Sequence, residues 1–203
     1  MKRVMSNVAA NLEQVTRRIH AAARRAGRDP RGITLVAVTK THPLQTVIEA
    51  YQAGLRHFGE NRAAEGNAKI EGFAGWLQTS LRAEPAQWHF IGHLQSRQAA
   101  QVIGGQYTLV HSVDSLKLAQ RINRLAERDT LPPVNILLQC NVSGEATKSG
   151  FALERWPQEP AQLNEFLQAV VQIQSLKKLN IQGLMTMAPW FDNPEDARPV
   201  FQR

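Results

Sequence analysis

A chain of 203 residues, 43% of them apolar, has enough core for a folded domain, which excludes a disordered segment. The net charge of +7 raises nucleic acid as a partner, but the densest basic group (Arg17, Arg18, Arg24, Arg25, Arg28, Arg31) falls off the apolar stripe of the first helix. A solvated face explains it better than a nucleic-acid site. The single cysteine, Cys140, closes no internal disulfide, no apolar run is long enough to cross a membrane, and Met1–Ser6 lacks the apolar centre of a signal peptide, so the reading is cytoplasmic.

The first predicted helix runs from about Asn7 to Ala26, with Val4, Val8, Leu12, Val15 and Ile19 as its apolar stripe and Gly27 and Pro30 as its stop. Ile33 to Lys40 follows as a buried strand, rich in β-branched residues and ending in a lysine. The carboxyl end of a parallel strand is where α/β folds put chemistry, and an amine shielded from water there is a nucleophile toward an aldehyde. Taken alone, this octapeptide is more often a strand ending in a solvated lysine.

Pro43 stands at a first helical position, with Leu44, Val47, Ile48 and Tyr51 as the next stripe and Gly54 as its end. Leu55–Phe58 reads as a short strand, and Asn61 as the N-cap of a helix through Ile70. Residues Gly72 to Gln87 read as a loop with some helical character. Trp88–Ile91 is a strand, a short helix ends near Gly104, and Tyr107–Ser112 is a strand. Asp114 then caps a helix striped with Leu118, Ile122 and Leu125.

Val134–Val142 is the fifth strand, followed by the polar loop Ser143–Gly150. A helix striped with Leu163, Phe166, Leu167, Val170 and Val171 leads to a strand over Asn180–Thr186, and Asn193-Pro194 opens a last helix.

Regular alternation of strand and helix means a parallel sheet covered by helices. No Gly-x-Gly-x-x-Gly follows the first strand, against a dinucleotide-binding open sheet. The fold class expected is therefore α/β, a (β/α)8 TIM-type barrel. A barrel needs eight units and ~250 residues, whereas about six units are present here. The expectation is a single barrel domain over residues 1–203 with its carboxyl-terminal part missing.

The distinctive residues fall at strand ends: Lys40, Gly59-Glu60-Asn61, His89 with Gly92-His93, Asn141 with Ser143, and Met185. Each has a plain alternative: Asn61 as a cap, His89 as a paired core histidine, Met185 as core filling. Gly144–Ser149 is no phosphate loop, because Thr147 stands where glycine is needed. The histidines and the cysteine lack zinc-ligand spacing, so no metal is expected, and no Gly-x-Ser-x-Gly elbow marks a hydrolase.

Together, Leu35–Thr41, Phe58–Asn61, Trp88–Gln95, Asn141–Glu145, Lys148–Phe151 and Gly183–Met187 resemble the pyridoxal phosphate homeostasis protein family, in order and over nearly the whole chain. The resemblance implies a barrel like the amino-terminal domain of alanine racemase. It implies pyridoxal 5′-phosphate (PLP) as cofactor, held by Lys40 as a Schiff base, with Asn61, His89 and Met185 lining the pocket. It further implies a protein that buffers or delivers PLP and maintains vitamin B6 and amino-acid pools without catalytic turnover. PLP-dependent apoenzymes would be its recipients, and the full-length protein would be a monomer.

Lys69 and Lys148 match lysines often seen in the family, Lys148 as a secondary acceptor for the aldehyde. Three departures stand out. His42 and Gln98 replace lysines common in the family, and the family's later Ser-x-Gly-Met-Ser and Arg-Ile-Gly segments, which hold the cofactor phosphate, have no counterpart. The competing function is a PLP-dependent enzyme of the alanine racemase type. Such an enzyme needs an acid–base group opposite the cofactor, usually supplied by a second domain.

Overall fold

The computed structural model describes residues 7–79, 84–145 and 147–203. Segment 1–6, with Val4 of the predicted stripe, residues 80–83 of the predicted loop, and Ala146 lie outside the described residues. The chain divides into two compact units, 1–89 and 90–203.

The first unit begins with helix α1 (Asn7–Arg25). Gly27 adopts φ 65°, and Arg28 N–H bonds back to the Ala23 carbonyl at 2.9 Å, so a left-handed glycine ends the helix as expected. The six arginines of the basic group are all exposed, which bears out the solvated face. Strand β1 is only Ala37–Val38, well short of the predicted Ile33–Lys40. It is paired in parallel with β2 (His57–Glu60) through Ala37↔Phe58 and Val38↔Gly59. An apolar run becomes strand only where a partner supplies ladder bonds, and here the partner is short. Nor is the run fully buried, since Val38 is 49% exposed.

Helix α2 (Leu44–Gln52) packs on α3 (Ala63–Gln78). The expected helix through Ile70 thus continues two turns further, across Gly72 and Gly75. A Cβ on Gly72 would stand 2.8 Å from Leu44 Cδ2, so this glycine permits close helix approach and does not break the helix. Strand β3 (Gln87–Phe90) follows, and the strand order is β1-β2-β3. Tyr51, Phe58, Phe73 and Trp88, all nearly inaccessible, meet at ring-centroid distances of 5.1 to 6.3 Å to form the core between strands and helices. Each such side chain contributes roughly 1.5–3 kcal/mol on burial.

The second unit contains α4 (Ala99–Ile103), β4 (Leu109–Val113), α5 (Leu116–Arg128), β5 (Val134–Asn141), β6 (Phe151–Ala152), α6 (Pro160–Gln174), β7 (Leu179–Met185) and α7 (Arg198–Gln202). Strand β5 is central, with β4, β6 and β7 all pairing to it in parallel. Short β6 was not expected from the sequence. The cap of α5 is Ser115, whose Oγ accepts from Leu118 N–H, while Asp114 accepts from the Ser115 hydroxyl. Asn193 caps the last helical segment as expected, accepting from Glu195 N–H. A face of α6, β7 and the loop beyond is open, with Val171, Leu184 and Trp190 each more than half exposed.

Candidate functional site

Lys40 lies in the turn just past β1, not within the strand, and it is exposed, as in the plainer reading of a solvated lysine. The residue before it, Thr39, is buried, and its N–H continues the ladder to the Gly59 carbonyl at 3.0 Å. The residue after it, Thr41, has φ 64°, an unusual conformation for a β-branched side chain.

A buried ion pair holds this turn. Glu60, the last residue of β2, is wholly inaccessible. Its Oε1 accepts from Thr39 Oγ1 at 2.6 Å and from Lys69 Nζ at 2.8 Å. Lys69 also donates to Glu65 Oε1 at 2.7 Å and to the Thr39 carbonyl at 2.6 Å, so all three ammonium protons are used. Glu65 Oε1 in turn accepts the Thr41 N–H at 2.5 Å. Glu65 and Lys69 reach the same place because they are four residues apart on α3. The hydrogen bond from Lys69, then that from Thr41 N–H, holds the Glu65 carboxyl below its ordinary range. Removing one member of such a buried pair costs about 3–5 kcal/mol, because the other charge is stranded.

Asn61 follows β2 at the same strand edge as Lys40. It is not the expected cap: α3 starts at Ala63 with Arg62 in the cap position and no side-chain cap bond. Instead Asn61 Oδ1, like Glu60 Oε2, is buried with no hydrogen-bond partner. Val38 pairs with Gly59, and Lys40 and Asn61 each stand two residues further on, so the unpaired acceptor lies at the same end of the paired strands as Lys40. Buried polar atoms are nearly always paired, and an orphan here suits a site that takes a ligand.

His89, on β3, is 6% exposed, and its Nε2 lies 3.0 Å from His57 Nδ1 on β2. Trp88 packs with Phe58 and Phe73, so strand alternation turns His89 to the sheet's other face. One imidazole of the pair donates and the other accepts, and burial lowers the pKa of His57, favouring its neutral form. This is the paired core histidine foreseen as the plain alternative.

Met185 belongs to the second unit. It ends β7 in register with Gln139 and lines a cavity of about 430 Å³ with Cys140, Phe166 and Leu163. Burial pushes the Cys140 thiol up to about 11. The loop after β5 is tied by Asn141: its Nδ2 donates to the Glu145 and Lys148 carbonyls at 3.1 and 3.3 Å, and its Oδ1 accepts from Gly144 N–H at 3.0 Å. Ser149, His93 and Asp114 approach one another, but Ser149 Oγ and Asp114 Oδ2 address the same nitrogen, His93 Nδ1, at 3.2 and 3.8 Å. A catalytic relay needs them on opposite nitrogens. Among the described residues no group of three metal-ligating side chains occurs, and no helix is long and apolar enough to cross a membrane.

The sequence reading selected Lys40, Asn61 and His89 but missed Glu65 and saw in Lys69 only a family lysine. The available signal was the i,i+4 spacing of Glu65 and Lys69, ordinarily a surface pair.

Residues 10–203 match the family model described as alanine racemase, N-terminal domain. The pyridoxal phosphate homeostasis protein of Pseudomonas aeruginosa is 43% identical over 183 residues, covering 90% of this chain and 71% of that protein. The protein of the same name from Escherichia coli K12 is 42% identical over 185 residues, with the same coverage. A structure of PipY from Synechococcus elongatus with PLP bound superposes with a TM-score of 0.66 at 31% identity, covering 90% of this chain and 76% of that one.

Proposed function

We propose a function on the premise that this chain belongs to the alanine racemase N-terminal domain family and, within it, to the pyridoxal phosphate homeostasis proteins: it binds PLP and serves to buffer or deliver it. The fold is the α/β class of that family, parallel strands alternating with helices as in a (β/α)8 barrel. The family match over 10–203 supports reading the chain as one cofactor-binding domain.

The observation that carries the reading is Lys40 itself: an exposed amine just past the carboxyl end of β1, with the unpaired, buried acceptor of Asn61 just past the paired end of β2. When bound, the cofactor would supply an aldehyde, and Lys40 would be the amine that holds it. Asn61 offers a hydrogen-bond acceptor. Lys69 is a poor aldehyde acceptor, because its ammonium is fully bonded and has no free lone pair.

Incubation with PLP, borohydride reduction and peptide mapping should label Lys40, and Lys40→Ala should abolish that label. Label at Lys69 or Lys148 in place of Lys40 overturns the assignment. Carriage without turnover is supported by the relatives' naming as homeostasis proteins. It predicts no racemisation of L-amino acids above background by chiral chromatography. Turnover that disappears in Lys40→Ala makes the protein a racemase-type enzyme.

A further inference from the structure

We propose that Lys69 and Glu65 act together as positioning residues for Lys40, setting the direction in which its side chain leaves the backbone without touching the cofactor. The inference rests on the reading of Lys40 as the attachment residue.

A residue has two soft backbone dihedrals, set by the peptide planes on either side of it. The plane before Lys40 carries the Thr39 carbonyl, which accepts from Lys69 Nζ at 2.6 Å. The plane after it carries the Thr41 N–H, which donates to Glu65 Oε1 at 2.5 Å. Lys69 and Glu65 are themselves joined at 2.7 Å. Both planes flanking Lys40 therefore end on one ion pair, and the Cα–Cβ direction of Lys40 is fixed by a helix on which Lys40 does not lie.

The conformation held carries a residue in an unfavourable region. Thr41 sits at φ 64°, where a β-branched residue is strained and persists only when its surroundings impose it. The turn is closed by His42 N–H donating to the Thr39 carbonyl at 3.1 Å, and the Glu65 bond to the Thr41 amide adds the constraint from α3. Glu60 anchors the assembly from β2 through Lys69 and the Thr39 hydroxyl.

The lysine side chain beyond Cβ stays free to rotate, so the effect belongs on the rate of capture more than on whether it occurs. Glu65→Ala frees the Thr41 amide and leaves the Glu60–Lys69 pair in place. It is expected to slow PLP labelling of Lys40, trapped by borohydride and quantified by peptide mass, about tenfold. Glu65→Gln keeps an acceptor for the amide and should label within about twofold of the parent, a rescue that a merely structural role does not predict. Hydrogen exchange at the Thr41 amide should accelerate in Glu65→Ala and not in Glu65→Gln. Label at Lys148 in the same digests is the internal control and should not change.

The double variant Lys69→Met with Glu60→Gln removes both buried charges at once and should slow Lys40 labelling at least as much as Glu65→Ala. If it does not fold, the two Glu65 variants decide alone. Unchanged labelling and unchanged Thr41 exchange in Glu65→Ala overturn the inference while the cofactor reading stands. A parent chain that takes no label at Lys40 overturns the cofactor reading instead, and Thr41 exchange still reports whether the pair holds the turn.

Discussion

Two turns in this molecule each follow a parallel strand and carry a lysine, and they differ in what holds them. The turn after β1, with Lys40, has one internal bond, His42 N–H to the Thr39 carbonyl at 3.1 Å, and is otherwise clamped from outside by charged side chains 21 to 30 residues away in sequence. The loop after β5, with Lys148, is fixed from inside, by Asn141 and by Lys148 N–H donating to the Glu145 carbonyl at 3.0 Å. An external clamp aligns a side chain and responds to charge. An internal one makes a rigid loop that depends on one or two residues' shapes.

The sharpest way to break the internal arrangement is Gly150→Ala. A Cβ there would stand 2.8 Å from Asn141 N and 2.9 Å from the Gln139 carbonyl oxygen, at φ 138°. These atoms are backbone of β5, which cannot swing aside as a side chain would, so a loss of about 2–4 kcal/mol in denaturant unfolding is expected. Next is Asn141→Ala, which strands the carbonyls and amide it satisfies and should cost about 1–3 kcal/mol. Neither variant should change Lys40 labelling. If either does, the two turns are not independent.

The smallest effect separates the two by pH. Glu65 has a folded pKa below its ordinary 4.5, so its contribution is complete above that value and is lost as pH falls through the lower, folded one. Corrected for intrinsic rates, Thr41 amide protection should persist at pH 4.5 and decline beneath it. The Gly144 amide, bonded to the neutral Asn141 side chain, should show no such step. Protection of Thr41 that fades above 4.5 would mean another group holds the turn. Two histidines add a separate dependence: burial lowers the pKa of both His57 and His111, so their contribution to stability is complete above their ordinary 6.5 and is lost as pH falls through the lower, folded values.

The order of strands and helices was legible because helix stripes report burial directly: Leu118, Ile122 and Leu125 of α5 are all 2% exposed or less. Strand β1 was over-read because an apolar run records hydrophobicity and says nothing of the partner's length. Helix α3 was cut short because Gly72 looks like a breaker until the neighbouring helix is known. At the site, Lys40 was legible from its position after an apolar run. Asn61 was misassigned because cap preference is statistical, while its strand-edge placement depends on β2 ending at Glu60. The Glu65–Lys69 clamp was invisible for a deeper reason: its meaning lies in contacts to Thr39 and Thr41, which no local pattern encodes.

The long sequence separations of that clamp also govern when the turn becomes competent. Each contact closes a loop of more than twenty residues, and such closure carries an entropic cost that local turns avoid. In a nascent or refolding chain Lys40 is one solvated amine among many, and its alignment arrives only when α3 has docked against β1 and β2. With Lys40 as the proposed attachment residue, the time course of its labelling during refolding would be a clock for that docking, readable with no probe other than the cofactor.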